Sequence, residues 1–151
     1  MKRLYPEQPV VGVGAVIVHD KKIVLIKRGN EPSRGKWTVP GGLVELAESP
    51  EMAVVRECKE ETGLDSDNPF LIDVVSNVDF DEQGKVKYHY VIIDYLVHVE
   101  GGRAEASSDA MELRWVSFDE VEGFDLTASF RLFFRHNRKK LEKVDSYQKE
   151  Q

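Results

Sequence analysis

Glu57, Glu60 and Glu61 stand three and four positions apart inside the stretch Gly42 to Leu64. Side chains at that spacing share one face of an α-helix. The flanking residues favour one: Ser49 suits the N-cap, Pro50 the first helical position, Glu51 the first turn and Gly63 the C-terminal stop, which predicts a helix over Pro50–Thr62. Three carboxylates on one face repel one another, and Arg56 sets a single positive charge against them. A hard divalent cation is the compensating partner. An all-oxygen donor set with no histidine or thiolate beside it favours Mg2+, or Mn2+, over zinc or copper. Glu57 and Glu61, one turn apart, are the predicted direct ligands, with Glu60 a third ligand or one acting through water.

Taken singly, a glutamate on a helix usually belongs to a solvated face. A solvated face needs neither Gly41-Gly42 before the helix, nor Glu48 at its start, nor Arg56 and Gly63 at fixed spacing. Gly42, Glu48, Arg56, Glu57, Cys58, Glu60, Glu61, Gly63 and Leu64 together resemble the Nudix box of the Nudix hydrolases. Cys58 occupies a slot where that family usually carries an aliphatic residue, and a cysteine there behaves as a small apolar side chain. The lead-in Trp37 to Gly42 and the later strand order extend the resemblance loosely across most of the chain. It implies an α/β fold, a Nudix-like α/β/α sandwich with a central mixed β-sheet. The activity it implies is metal-dependent hydrolysis of a nucleoside diphosphate linked to another group, with water attacking phosphorus.

The resemblance also implies roles for individual residues. The carbonyl of Gly41 becomes a candidate metal ligand, and a further carboxylate is expected from the segment holding Glu105, Asp109 and Glu112, of which the last two are best placed. Glu60, Asp109 or Glu112 would accept the proton of the attacking water. Arg56 would orient Glu48 or a neighbouring acid through its guanidinium. ADP-ribose, yielding AMP and ribose 5-phosphate, is the leading substrate, for which Asn30-Glu31-Pro32 is reminiscent of family members acting on sugar nucleotides. The alternatives are an oxidised nucleoside triphosphate cleaved with release of pyrophosphate, and a nucleotide sensor without turnover. Intact Glu57, Glu60 and Glu61 favour catalysis. Sugar-nucleotide members are frequently dimers, which makes a homodimer an expectation here.

These residues have to be positioned by a chain of 151 residues, enough for one domain over 1–151 with a lead-in over about 1–8 and a flexible tail over about 142–151. A net charge of −6 argues against a nucleic-acid backbone binder, which usually shows a basic stripe. No apolar run approaches the roughly 20 residues that span a bilayer, and the opening residues lack a signal peptide's apolar core, so a cytoplasmic address is expected. Val10 to His19 and Ile23 to Lys27 read as strands, with Gly12 and Gly14 in the first marking packing more than ligand contact. The polar loop Arg28 to Lys36 offers Arg28 and Arg34 to substrate phosphates. Short strands follow at Trp37–Pro40 and Leu43–Glu45. A hairpin of Phe70–Phe80 and Lys85–Val99 has Tyr90 expected to pack, then come a strand at Leu113–Val116, a helical turn at Asp119–Val121 and a closing helix over Leu126–Leu141.

Overall fold

A computed structural model of the chain describes residues 2–148. In chain order its elements are β1 (Val10–Val16), β2 (Val18–His19), β3 (Lys22–Arg28), β4 (Trp37–Thr38), β5 (Gly41–Leu43), α1 (Pro50–Thr62), β6 (Ser66–Phe80), β7 (Val86–Glu100), β8 (Ala110–Ser117), a 3-10 turn at Val121–Gly123, α2 (Ala128–Leu141) and β9 (Tyr147–Gln148). The β-branched run of β1 is buried on both faces, as suits a strand inside a sheet. β1 lies parallel to β7 and antiparallel to β5, β6 pairs antiparallel with β7, and β9 adds to the end of β7. These strands form the five-stranded mixed sheet, in the order β5-β1-β7-β6. β2, β4 and β8 pair antiparallel with β3 in a second, four-stranded sheet.

Two helices cover the mixed sheet. The Ser49 hydroxyl accepts the Met52 N–H, Pro50 follows as the first helical residue, and Gly63 closes α1 with a φ of 76°. α1 presses Ala53, Val54 and Cys58 against Val13 and Ala15 of β1, Ile17 just after it and Val97 of β7. On the opposite face Phe130, Phe133, Phe134 and Leu141 of α2 pack with Val16, Val75, Val116 and Phe118. The mixed α/β sandwich expected from the sequence is the architecture observed. α2 begins two residues later than read from the sequence because Thr127 is its cap, accepting the Phe130 N–H.

The segment after Leu141 departs from the expected tail. Val144 packs on the α2-side core, the Ser146 hydroxyl accepts the Val18 N–H at 2.9 Å, and Tyr147 stands edge-on to Trp115 while its hydroxyl donates to the Gly102 carbonyl. Each of these few anchoring residues finds a partner on another element, which the polar composition hides. Residues 149–151 of that expected tail lie outside the described residues. β6 also starts earlier than expected, at Ser66, with Pro69 accommodated by an irregularity between Asp67 and Phe70 on this edge strand. No described helix is long and apolar enough to cross a membrane.

Candidate active site

The capped start and left-handed stop of α1 fix the phase of its acids, and Arg56 organises them. Its Nε donates to Glu48 Oε2 at 2.7 Å and its Nη2 to Glu48 Oε1 at 3.0 Å, a bidentate pair. Nη2 also donates to the Leu43 carbonyl, and Nη1 to Glu57 Oε1 at 2.8 Å and to Glu60 at 3.2 Å. Arg56, with help from the Glu45 N–H, holds the Glu48 carboxyl down at about 2. Glu60 is exposed and turned to Arg56, whereas Glu57 and Glu61 line a cavity of about 190 Å³.

Glu61 is only 7% exposed, and its Oε1 accepts the Gly41 N–H at 2.7 Å. Burial pushes its carboxyl up to about 7, with Glu57 and Asp109 adding repulsion and the Gly41 N–H and Arg28 opposing it. Burial raises the Glu57 carboxyl as well, against the pull of Arg56. Gly42 leaves room for this arrangement, since a β-carbon on it would overlap the Glu57 carboxylate.

The cavity draws on distant parts of the chain. Arg28, at the end of β3, lines it, with its Nε donating to the Pro32 carbonyl at 2.8 Å, and Asp109 lines it from the loop before β8. The Asp109 carbonyl is tied to the Gly29 N–H at 3.0 Å. The structure does not bring the other predicted residues here: Arg34 is exposed outside the cavity, Glu112 pairs with Arg114 at 2.6 Å on β8, and Glu105 pairs with Arg103 at 3.4 Å. Strand alternation explains Glu112, whose cross-strand neighbour is Lys27 rather than Arg28. Gly12 and Gly14, read as packing positions, also line the cavity, as do Tyr90, Ile92 and Asp94 of β7, Asn77 of β6 and Thr127 and Ser129 at the start of α2. Asp94 carried a signal in the sequence: it is the one charged residue in the apolar run Tyr90 to Val97.

Among the described residues no three acidic, histidine or cysteine side chains are gathered into a ready metal cage. Glu57 and Glu61 nevertheless form an acid pair whose carboxyls burial pushes up, and the neighbouring guanidinium of Arg56 is shared with Glu48 and Glu60. A small hard cation fits such a pair, because Mg2+ commonly takes one or two carboxylates and keeps its other positions for water and substrate phosphate oxygens.

Comparison with known proteins gives a family, relatives and folds. The NUDIX domain family matches residues 8–136. An ADP-ribose pyrophosphatase of Methanocaldococcus jannaschii is 42% identical over 136 residues, covering 90% of this chain and 73% of that protein. A crystal structure of a MutT NUDIX hydrolase from Burkholderia pseudomallei superposes with a TM-score of 0.72 at 36% identity, over 85% of this chain and 98% of the other. The NUDIX domain of Shewanella oneidensis NrtR also reaches 0.72, at 23% identity and 90% coverage of both chains, a likeness of fold.

Proposed function

The chain belongs to the Nudix family and is a pyrophosphohydrolase acting on phosphoanhydride bonds, and from that premise we propose that its substrate is ADP-ribose, cleaved to AMP and ribose 5-phosphate. The observation that carries this reading is the cavity itself, which runs from Glu57 and Glu61 past Gly12 and Gly14 to Tyr90 and Asp94, well beyond what a diphosphate needs. The name of the archaeal relative supports the same substrate.

Nudix hydrolases depend on a divalent metal, and Mg2+ is the ion proposed here. Glu57, Glu61 and the Gly41 carbonyl would hold it, with Glu60 acting through water. When bound, it would offset the charge of the diphosphate and make an attacking water more acidic. Arg28 places a guanidinium beside the acids, where it can pair with phosphate oxygens of the substrate. Asp109, which lines the same cavity, would accept the proton of the attacking water. Arg56 keeps Glu57 and Glu48 oriented and does no chemistry itself.

Product analysis with Mg2+ across ADP-ribose, NADH, other sugar nucleotides and canonical or oxidised nucleoside triphosphates tests the substrate. AMP plus ribose 5-phosphate, with triphosphates poorly used, is the expected result. Preferential release of pyrophosphate from a triphosphate would replace this reading with nucleotide cleansing, and binding without turnover would replace it with a sensor. A homodimer is proposed along the outer edge of β6, an edge left unpaired among the described residues, on a strand where Phe70 is 65% and Val74 51% exposed. Light scattering at twice the chain mass supports it; a monomer at every concentration overturns it.

A further inference from the structure

The residues before β1 are tied to the rest of the fold at Tyr5. Its N–H donates to the Lys87 carbonyl at 2.9 Å, its hydroxyl donates to Asp81 Oδ2 at 2.9 Å, and the Lys85 ammonium stands 5.0 Å over its ring. The backbone there has a φ of 48°, a left-handed conformation that a residue with a side chain seldom adopts. Three contacts to the β6–β7 hairpin hold that bend in place, so the expected lead-in is a docked arm as far as this residue. Two residues further out, Arg3 lines the cavity.

Arg3 and Arg28 are the cationic residues among the described ones that line the cavity, and their settings differ. Arg28 is held by the Pro32 carbonyl, and its charge is felt at Glu61. Arg3 takes part in none of the ion pairs among the described residues. Tyr90 is 9% exposed, and its hydroxyl is buried with no hydrogen-bond partner among the described residues. Burial raises that hydroxyl, and the charges of Arg3 and Arg28 oppose the rise, which places both guanidiniums near it. Asn77, the cross-strand partner of Tyr90, brings a carboxamide to the same wall. Asp79 is the acid whose charge reaches Tyr90, and it forms no ion pair with Arg3.

The register of the sheet relates this group to the acids. Val13 of β1 pairs with Gly42 on one side and Ile93 on the other, and Tyr90 lies three residues before Ile93, so Tyr90 is about 10 Å across and about 10 Å along the sheet from Gly42. The Glu57 carboxylate rests against Gly42. Tyr90 and Arg3 therefore stand at the end of the cavity away from the acids. Buried polar groups are almost always paired, and the open side of this one is the cavity. A hydroxyl that lacks an acceptor beside a guanidinium outside any ion pair is a set of donors that one anionic oxygen-bearing group would satisfy.

We propose that Arg3 is a substrate-binding residue delivered by the N-terminal arm, its guanidinium and the Tyr90 hydroxyl together taking a phosphate group of the nucleotide. This rests on the reading of the site as a nucleoside diphosphate hydrolase. The phosphate belongs either to the scissile diphosphate, shared with Arg28, or to a further phosphate ester on the sugar of the nucleoside, and the experiment separates the two sources.

The test compares ADP-ribose with its 2′-phosphorylated form in wild type, Arg3→Leu, Arg3→Lys and Tyr90→Phe. Arg3→Leu is expected to raise KM about 10-fold, with the larger part of the effect on KM rather than kcat, as follows when a hydrogen bond to a charged group is lost. Arg3→Lys, which keeps the charge without the fork, should recover part of the loss, and Tyr90→Phe should raise the same KM. Added salt should shrink the difference between wild type and Arg3→Leu, because Arg3 is exposed. Neither substitution removes a contact that supports the fold, so both variants should melt with wild type. An equal rise for the two substrates assigns the diphosphate; a rise confined to the phosphorylated one assigns the further phosphate. Unchanged KM for both in Arg3→Leu overturns the proposal. If neither substrate is turned over, the function proposed above has failed, and calorimetry of adenosine, ADP and adenosine 2′,5′-bisphosphate without metal still judges Arg3. Weaker binding of a phosphorylated ligand by Arg3→Leu, with adenosine unchanged, supports it; no weakening, or an equal weakening of all three, overturns it.

Discussion

Glu61→Gln is expected to lower kcat on ADP-ribose by about 10³-fold, the loss that follows when roughly 4 kcal/mol of transition-state stabilisation is removed. The substitution is nearly isosteric. The amide oxygen can still accept the Gly41 N–H that Glu61 Oε1 now accepts at 2.7 Å, so the local backbone has no reason to move. What disappears is the negative charge, and with it half of the acid pair that faces the cavity from α1. Circular dichroism should be unchanged, and Mg2+ should no longer raise the melting temperature. Full activity in a folded Glu61→Gln protein would remove the metal site from this helix. The same substitution at Glu60 discriminates further: Glu60 is exposed and bound to Arg56 at 3.2 Å, so its effect should be smaller.

The helix that carries this prediction was legible because its information is local. Ser49, Pro50 and Gly63 set the two ends of α1, and those ends set which acids share a face. The pairing of Arg56 with Glu48 was readable for the same reason, since both belong to one short stretch. The far wall of the cavity was not. Asp94 reaches the acids only through the registers of β5, β1 and β7, and no periodicity within Val86–Glu100 states which strand will lie beside it. Asp109 and Glu112 were indistinguishable by spacing, and pairing of β8 with β3 separated them, sending Glu112 to Arg114 while Asp109 stayed at the cavity. The docking of Ser146 and Tyr147 was hidden similarly, because their partners Val18 and Gly102 are remote in sequence.

Without metal, the protein is expected to lose stability as pH rises from about 5 to about 8, and Mg2+ is expected to restore much of that loss. The sign follows from Glu61. Its folded-state carboxyl sits at about 7 against an ordinary 4.5, so the folded chain holds a proton there that the unfolded chain releases. The stability associated with that proton is fully present below the unfolded value and lost as pH rises through about 7, a change of roughly 3 kcal/mol at 1.36 kcal/mol per unit. Asp94, pushed up to about 8, acts in the same direction over the same range, and Glu57 is raised too. Glu48 acts oppositely but only in acid: its carboxyl lies at about 2, so its contribution is present above 4.5 and fades as pH falls. A divalent cation binds the ionised form of Glu57 and Glu61, so the rise in melting temperature on adding Mg2+ should be larger at pH 8 than at pH 6. Binding near pH 7 should release protons, which a weakly buffered indicator would detect. Glu61→Gln removes the Glu61 share of the pH dependence and leaves that of Asp94, while Asp94→Asn does the reverse, so the two variants divide the slope between the metal end of the cavity and its far wall. A metal-free melting temperature that climbs from pH 5 to pH 8 would show that burial does not hold these carboxyls in their neutral form.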